Sequence, residues 1–99
     1  MASEKNKWID AVARLISLTQ ERKLLWRYSS MFNAYEAEYA GKTLQLTPGD
    51  PPRLALRDTE NQATWDFPES ATNEYLMEAV RYQLVGVGDF LDELLTKAV

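Results

Sequence analysis

Tyr35-Glu36-Ala37-Glu38-Tyr39-Ala40-Gly41-Lys42-Thr43-Leu44-Gln45-Leu46-Thr47 decides the fold. In an extended chain successive side chains point to opposite faces, so residues two apart share a face. Tyr35, Ala37 and Tyr39 then line one side of a strand running from Phe32 to Ala40, with Glu36 and Glu38 on the other. Leu44 and Leu46 do the same in a strand from Thr43 to Thr47. Gly41-Lys42 lies between the two runs, and Ala40 or Gly41 takes the positive φ that a tight hairpin needs.

The alternation continues in both directions. Upstream, Leu24, Trp26 and Tyr28 share one side of Leu24-Leu25-Trp26-Arg27-Tyr28, and Ser29-Ser30 reads as a turn. Downstream, Pro48-Gly49-Asp50-Pro51-Pro52 stops the strand and is a loop, too short to link two domains. Arg53 to Arg57 follows, with Leu54 and Leu56 inward. After a turn formed by Asp58 and Asn61 comes Ala63 to Phe67, with Trp65 and Phe67 inward. Pro68 ends that strand by removing a ladder donor. Five short consecutive strands with short turns predict an antiparallel meander. Its second face carries Arg27, Glu36, Glu38, Gln45, Arg53, Arg57, Thr64 and Asp66, and is expected to be open to water and free of aromatic residues.

A helix is predicted at each end. From Glu4 to Leu18, the residues Trp8, Ala11, Val12, Leu15 and Ile16 make one apolar stripe on a 3.6-residue period, with Ser3 as its N-cap. The C-terminal pattern is read as one long helix to about Lys97, capped by Ser70 or Thr72. Leu76, Val80, Gln83, Val87, Leu91 and Leu94 form its stripe, widened by Met77, Leu84, Phe90 and Leu95. Gly86 and Gly88 interrupt it; each costs about 1 kcal/mol in a helix interior, so they mark a kink or a close backbone approach. The predicted fold is a two-layer α+β domain spanning 1–99, with both helices on the apolar face of the sheet.

Composition narrows the chemistry. A chain of 99 residues with 45% hydrophobic and 26% charged residues has the make-up of one globular domain. A net charge of −4 repels phosphate backbones, and the densest basic cluster, Arg22 and Lys23 with Arg27 nearby, has no second cluster beyond it; nucleic acid is not an expected partner. No cysteine is present, so disulfide and thiolate chemistry are excluded; no histidine is present either, so a Ser–His triad is excluded and the commonest zinc ligand is missing. No apolar run approaches the ~20 residues that span a bilayer. Residues 1–7 lack the apolar segment of a signal peptide, which makes a cytoplasmic location the default.

The remaining motifs have plain structural readings. Glu36 with Glu38, and Asp89 with Asp92 and Glu93, could in principle share a proton or hold a divalent ion, but each is expected on a solvent face. Val85-Gly86-Val87-Gly88 lacks the third glycine and the strand context of a dinucleotide loop. The aromatic residues alternate toward the core, where a base-stacking platform would show the reverse. Tyr75, Arg81 and Tyr82 lie off the main stripe of the last helix, and exposed Tyr and Arg are enriched at binding hot spots. Leu25, Met31 and Phe32 point away from the core register and would form an exposed apolar patch.

Arg14-Leu15-Ile16-Ser17-Leu18-Thr19-Gln20, Leu25-Trp26, Thr64-Trp65-Asp66-Phe67-Pro68 and Glu78-Ala79-Val80-Arg81-Tyr82-Gln83 with Gly86-Val87 together resemble a family of small, functionally uncharacterised bacterial proteins. The resemblance implies a bacterial origin and a helix–meander–helix shape, and no catalytic residue; Gly88 departs from a polar residue common there. The function expected is a non-enzymatic protein-interaction module without a cofactor. Its surfaces would be the side of the last helix at Tyr75, Arg81 and Tyr82 and the polar sheet face at Arg53 and Arg57. Its partner would be an unidentified protein or a further copy of the chain. The alternatives are a small-molecule or peptide pocket between helices and sheet near Gly86 and Gly88, and, more remotely, a metal-dependent enzyme using surface carboxylates.

Overall fold

The structure, a computed structural model, describes residues 4–97; Ser3, the expected N-cap, lies outside the described residues. Helix α1 (Glu4–Gln20) leads into strands β1 (Arg27–Ser29), β2 (Ala34–Tyr39), β3 (Lys42–Thr47), β4 (Arg53–Asp58) and β5 (Ala63–Asp66), followed by helices α2 (Thr72–Val85) and α3 (Val87–Lys97). The strands form one antiparallel sheet in sequence order.

The register follows from the central hairpin. Tyr39 pairs with Lys42, leaving Ala40 (φ 53°) and Gly41 (φ 79°) as a two-residue loop. Both central residues are left-handed, the arrangement whose twist matches that of the flanking strands. Ala37, Leu44 and Leu56 therefore fall in one row across the sheet, and Tyr35, Leu46 and Leu54 in the next. Against these rows α1 sets Val12 and Leu15, and α2 sets Leu76, Met77 and Val80, all in one buried cluster with Leu24 and Trp26. Both α1 and α2 thus cover the same sheet face. The sheet margins stay bare: Tyr28, Tyr39 and Trp65, expected inward, are half exposed. Tyr28 instead meets Tyr35 edge-on, and Trp65 meets Phe67.

Several local expectations are corrected. Leu24 and Trp26 precede the first strand, because the Trp26 N–H donates to Gln83 Oε1 (2.8 Å) instead of to a neighbouring strand. The same amide nitrogen of Gln83 donates to the carbonyls of Thr19 (3.0 Å) and Leu24 (2.8 Å). One polar side chain in the stripe of α2 thereby clamps the turn between α1 and β1. The Trp26 indole N–H adds a bond to Thr19 Oγ1 (3.0 Å), which itself donates to the Leu15 carbonyl (2.7 Å). At the start of α2 the cap position is Ala71, with no side-chain bond of its own. Ser70 acts one residue earlier, its Oγ accepting from the Thr72 N–H at 3.1 Å.

The largest correction is at the C-terminus. The expected long helix is two helices. Gly86 adopts φ 74°, ψ 35° and its N–H turns back to the carbonyls of Gln83 and Tyr82, ending α2. A left-handed glycine at this position is a common helix stop, because a side chain there would strain the backbone. The Gly86 carbonyl then accepts from the Phe90 N–H (3.0 Å) and α3 begins. The chain extends 52 × 37 × 27 Å, and its radius of gyration of 15.1 Å exceeds the roughly 12.6 Å expected of a compact domain of this size. No residue of α3 is buried.

Candidate functional site: a bare helix beside a bare groove

The break at Gly86 changes what the C-terminal stripe is for. Val87, Phe90, Leu91, Leu94 and Leu95 follow the i, i+3, i+4, i+7, i+8 spacing of an amphipathic helix, which normally buries that stripe. Here Phe90 is 62% exposed and Leu95 72%, with Leu91 and Leu94 between 40% and 55%. Polar and acidic residues Asp89, Asp92, Glu93 and Thr96 occupy the other sides of the helix. The first turn is tethered by an ion pair from Arg22 to Asp89 at 3.2 Å, both exposed, and Lys97 pairs with Glu93 at 2.7 Å. Exposed pairs of this kind contribute about 0–1 kcal/mol, and only that of Arg22 joins α3 to the rest of the chain, so the helix is held weakly.

Next to α3, the outer surfaces of α1 and α2 enclose an open groove of about 500 Å³ lined by Ile16, Gln20, Tyr75, Glu78, Ala79 and Tyr82. Tyr75, Glu78, Ala79 and Tyr82 are spaced i, i+3, i+4, i+7, so one stripe of α2 supplies the wall. The small Ala79 sets the floor, and the tyrosines, 64% and 51% exposed, stand at its two ends. Tyr82 also marks where α3 starts, its ring lying 3.5 Å from where a Cβ on Gly88 would stand. Gly86 and Gly88 do not line the groove; the apolar cleft between helix and sheet lies under α1, about 200 Å³, walled by Leu15, Leu18, Leu44, Leu56 and Phe67 with Tyr39 at its margin.

Of the residues singled out from sequence, Tyr75 and Tyr82 come together in the groove. Arg81 is exposed on a neighbouring side of α2 and makes no ion pair among the described residues. Arg53 and Arg57 lie elsewhere, on the opposite face of the sheet. That face is not the open polar surface expected. Glu36 is 5% exposed and is held by Arg57 (3.0 Å) and Arg27 (3.7 Å). Arg57 also donates to Gln45 Oε1 (2.9 Å), and Phe32 from the β1–β2 turn stacks over its guanidinium, 4.5 Å from the ring centre. Phe32 therefore puts an aromatic on the face expected to have none, and Arg57 is a strut committed to its neighbours. Arg53 remains exposed, its guanidinium 3.8 Å from Asp66. The polar groove beside them, about 340 Å³, is lined by Phe32, Thr47, Arg53, Arg57, Thr64 and Asp66 among others.

The basic cluster near residue 22 is spent in ion pairs: Arg22 on Asp89, Lys23 on Glu21 (3.2 Å), Arg27 on Glu36 and Glu38. At the β4–β5 turn, Asp58 accepts from the N–H groups of Glu60 and Asn61, from the Asn61 amide and from Lys42 (3.0 Å). These bonds, that from the Asn61 side chain foremost, lower its pKa to about 2. This is turn chemistry, not a reaction site. Among the described residues no three acidic side chains converge on a common point. No described helix is long and apolar enough to cross a membrane.

Comparison with protein-family models, curated proteins and solved structures returns no match.

In the sequence the stripe of α3 has the same period as a core-facing stripe. The signal that separates it is Gly86 itself: a glycine directly after a helical run, followed by a second amphipathic run with an acidic first turn at Asp89, reads as stop and restart. The groove residues of α1, Ile16 and Gln20, carry no comparable signal.

Proposed function

We propose that this chain is a non-enzymatic protein-interaction module that works by helix-in-groove docking: it accepts an apolar helix between α1 and α2 and presents one of its own on α3. The observation that carries the reading is the stripe Phe90, Leu91, Leu94, Leu95, bare along a well-formed helix. Contiguous exposed apolar surface beside polar residues marks interaction sites on soluble domains. Tyr75 and Tyr82 supply the aromatic anchors such surfaces favour, and Arg81 a charge at their margin. The cleft under α1, about 200 Å³, is smaller than the roughly 300–1,000 Å³ of small-molecule sites, which weighs against the ligand-pocket alternative.

The reading is tested by replacing Tyr82 with a photo-crosslinking phenylalanine analogue in cells that make the chain naturally. Irradiation is expected to give discrete protein adducts whose crosslinked peptide is an apolar helix. A chain that yields no protein adduct, while the same analogue at Tyr75 is equally silent, refutes the docking reading.

A further inference from the structure

We infer that the helix received by the groove is α3 of a second copy of this chain, so that two copies associate by exchanging their C-terminal helices. This rests on the docking reading above and names its partner. Helices that fold back on one another are joined by about 2–5 residues, whereas Gly86 alone separates α2 from α3. The stripe of α3 therefore cannot turn back onto the α1/α2 groove of its own chain, and whatever covers it comes from another molecule.

At 1.5 Å per residue the 11 residues of α3 span about 16 Å. The groove runs from Tyr75 to Tyr82 along α2, about 10 Å, and Ile9, 41% exposed two turns before Ile16, is available to extend it along α1. The stripe is apolar and the groove mostly so, with Gln20 and Glu78 among its lining residues, and Ala79 leaves room for a helix to approach. Tyr82 touches the first turn of α3 and also walls the groove, so the surface given and the surface received are continuous. Such an arrangement closes with two-fold symmetry, each copy giving and receiving the same element.

Tyr75, Tyr82, Phe90, Leu91, Leu94 and Leu95 are 41–72% exposed. At roughly 200 Å² per large side chain they present about 700 Å² per copy. Two copies covering one another would bury on the order of 1,400 Å², within the roughly 1,200–2,000 Å² of a stable specific interface. A membrane surface fits worse, since helices that lie on bilayers carry Lys and Arg on their polar face, where α3 carries Asp89, Asp92 and Glu93.

The test is sedimentation velocity of the full chain from about 1 μM to 1 mM, with circular dichroism to verify folding. Wild type is expected to pass from monomer to dimer within that range. Leu91→Glu/Leu94→Glu (stripe) and Tyr75→Glu/Tyr82→Glu (groove) should each weaken dimerisation at least 100-fold with the fold retained. An equimolar mixture of the two should recover a heterodimer, because one intact stripe still meets one intact groove. A wild-type chain that stays monomeric to 1 mM, a stripe variant that dimerises like wild type, or a mixture that recovers nothing overturns the inference. If the chain is monomeric and the Tyr82 crosslink captures a helix of a different protein, the exchange fails and the docking reading stands; a monomer with no crosslink ends both.

Discussion

Gln83→Leu is expected to cost about 2 kcal/mol. The substitution keeps the size of the side chain and removes only its amide. The Trp26 N–H (2.8 Å) and the Leu24 carbonyl (2.8 Å) lose their partner, while the Thr19 carbonyl, 3.0 Å from the amide, keeps a bond from the Arg22 N–H (3.2 Å). Thr19, Leu24 and Trp26 are 1%, 2% and 5% exposed, so these groups are poorly placed to exchange Gln83 for water. A buried polar group left unpaired costs about 1–3 kcal/mol. Gln83 itself is only half-buried, which admits some solvent and sets the lower figure for each group. For a chain of 99 residues the loss lowers Tm by roughly 8–16 °C, taking about 4–8 °C per kcal/mol. Gln83→Glu should not rescue, because a carboxylate can still accept from Trp26 but meets two carbonyl oxygens where the amide donated. Urea denaturation at neutral pH, followed by Trp fluorescence and by circular dichroism, measures both variants. A Gln83→Leu midpoint within the equivalent of about 0.5 kcal/mol of wild type, the size of an ordinary surface substitution, would refute the clamp.

Two further outcomes follow from the hairpin and the β4–β5 turn. Ala40 holds φ 53° in a loop that favours Asn or Gly, so Ala40→Gly and Ala40→Asn should each raise stability by about 1 kcal/mol; equal or lower urea midpoints for both would show that the alanine is unstrained. Asp58, with its pKa lowered to about 2 from 3.8, binds its proton more weakly folded than unfolded, so its contribution is present above about pH 4 and is lost as pH falls toward 2. Asp58→Asn should therefore be less stable than wild type at pH 6 by a margin that shrinks as the pH approaches 2; a margin independent of pH removes the carboxylate from the account.

Much of the fold was legible because period two leaves little freedom where one face is buried. A slip of one residue would have moved Leu44, Leu46 and Leu54 to the polar side, and the observed pairs place them in the core. What was not legible depended on distant partners. Gln83 sits at a stripe position and reads as a tolerated polar residue until the turn at Thr19 and Leu24, some 60 residues earlier in the chain, is folded against it. Glu36 alternates as a solvent residue should, yet it is buried because Phe32, from a turn with no periodicity, folds over Arg57 and closes that side. No local rule marks a glutamate as buried when the group covering it belongs to a loop.

The site was illegible for a different reason. Hydrophobic periodicity reports that a stripe must be covered and is silent on which molecule covers it. Leu91 and Leu94 carry the same pattern as Leu76 and Val80, and only the backbone at Gly86 separates them. Had the chain between α2 and α3 been four residues long, the same stripe could have folded back onto the outer groove between α1 and α2. With one left-handed residue there, the stripe is displayed. The distinction between a core element and an interaction element in this chain therefore lies in the length of a connection, and lengthening that connection is the change that would convert one into the other.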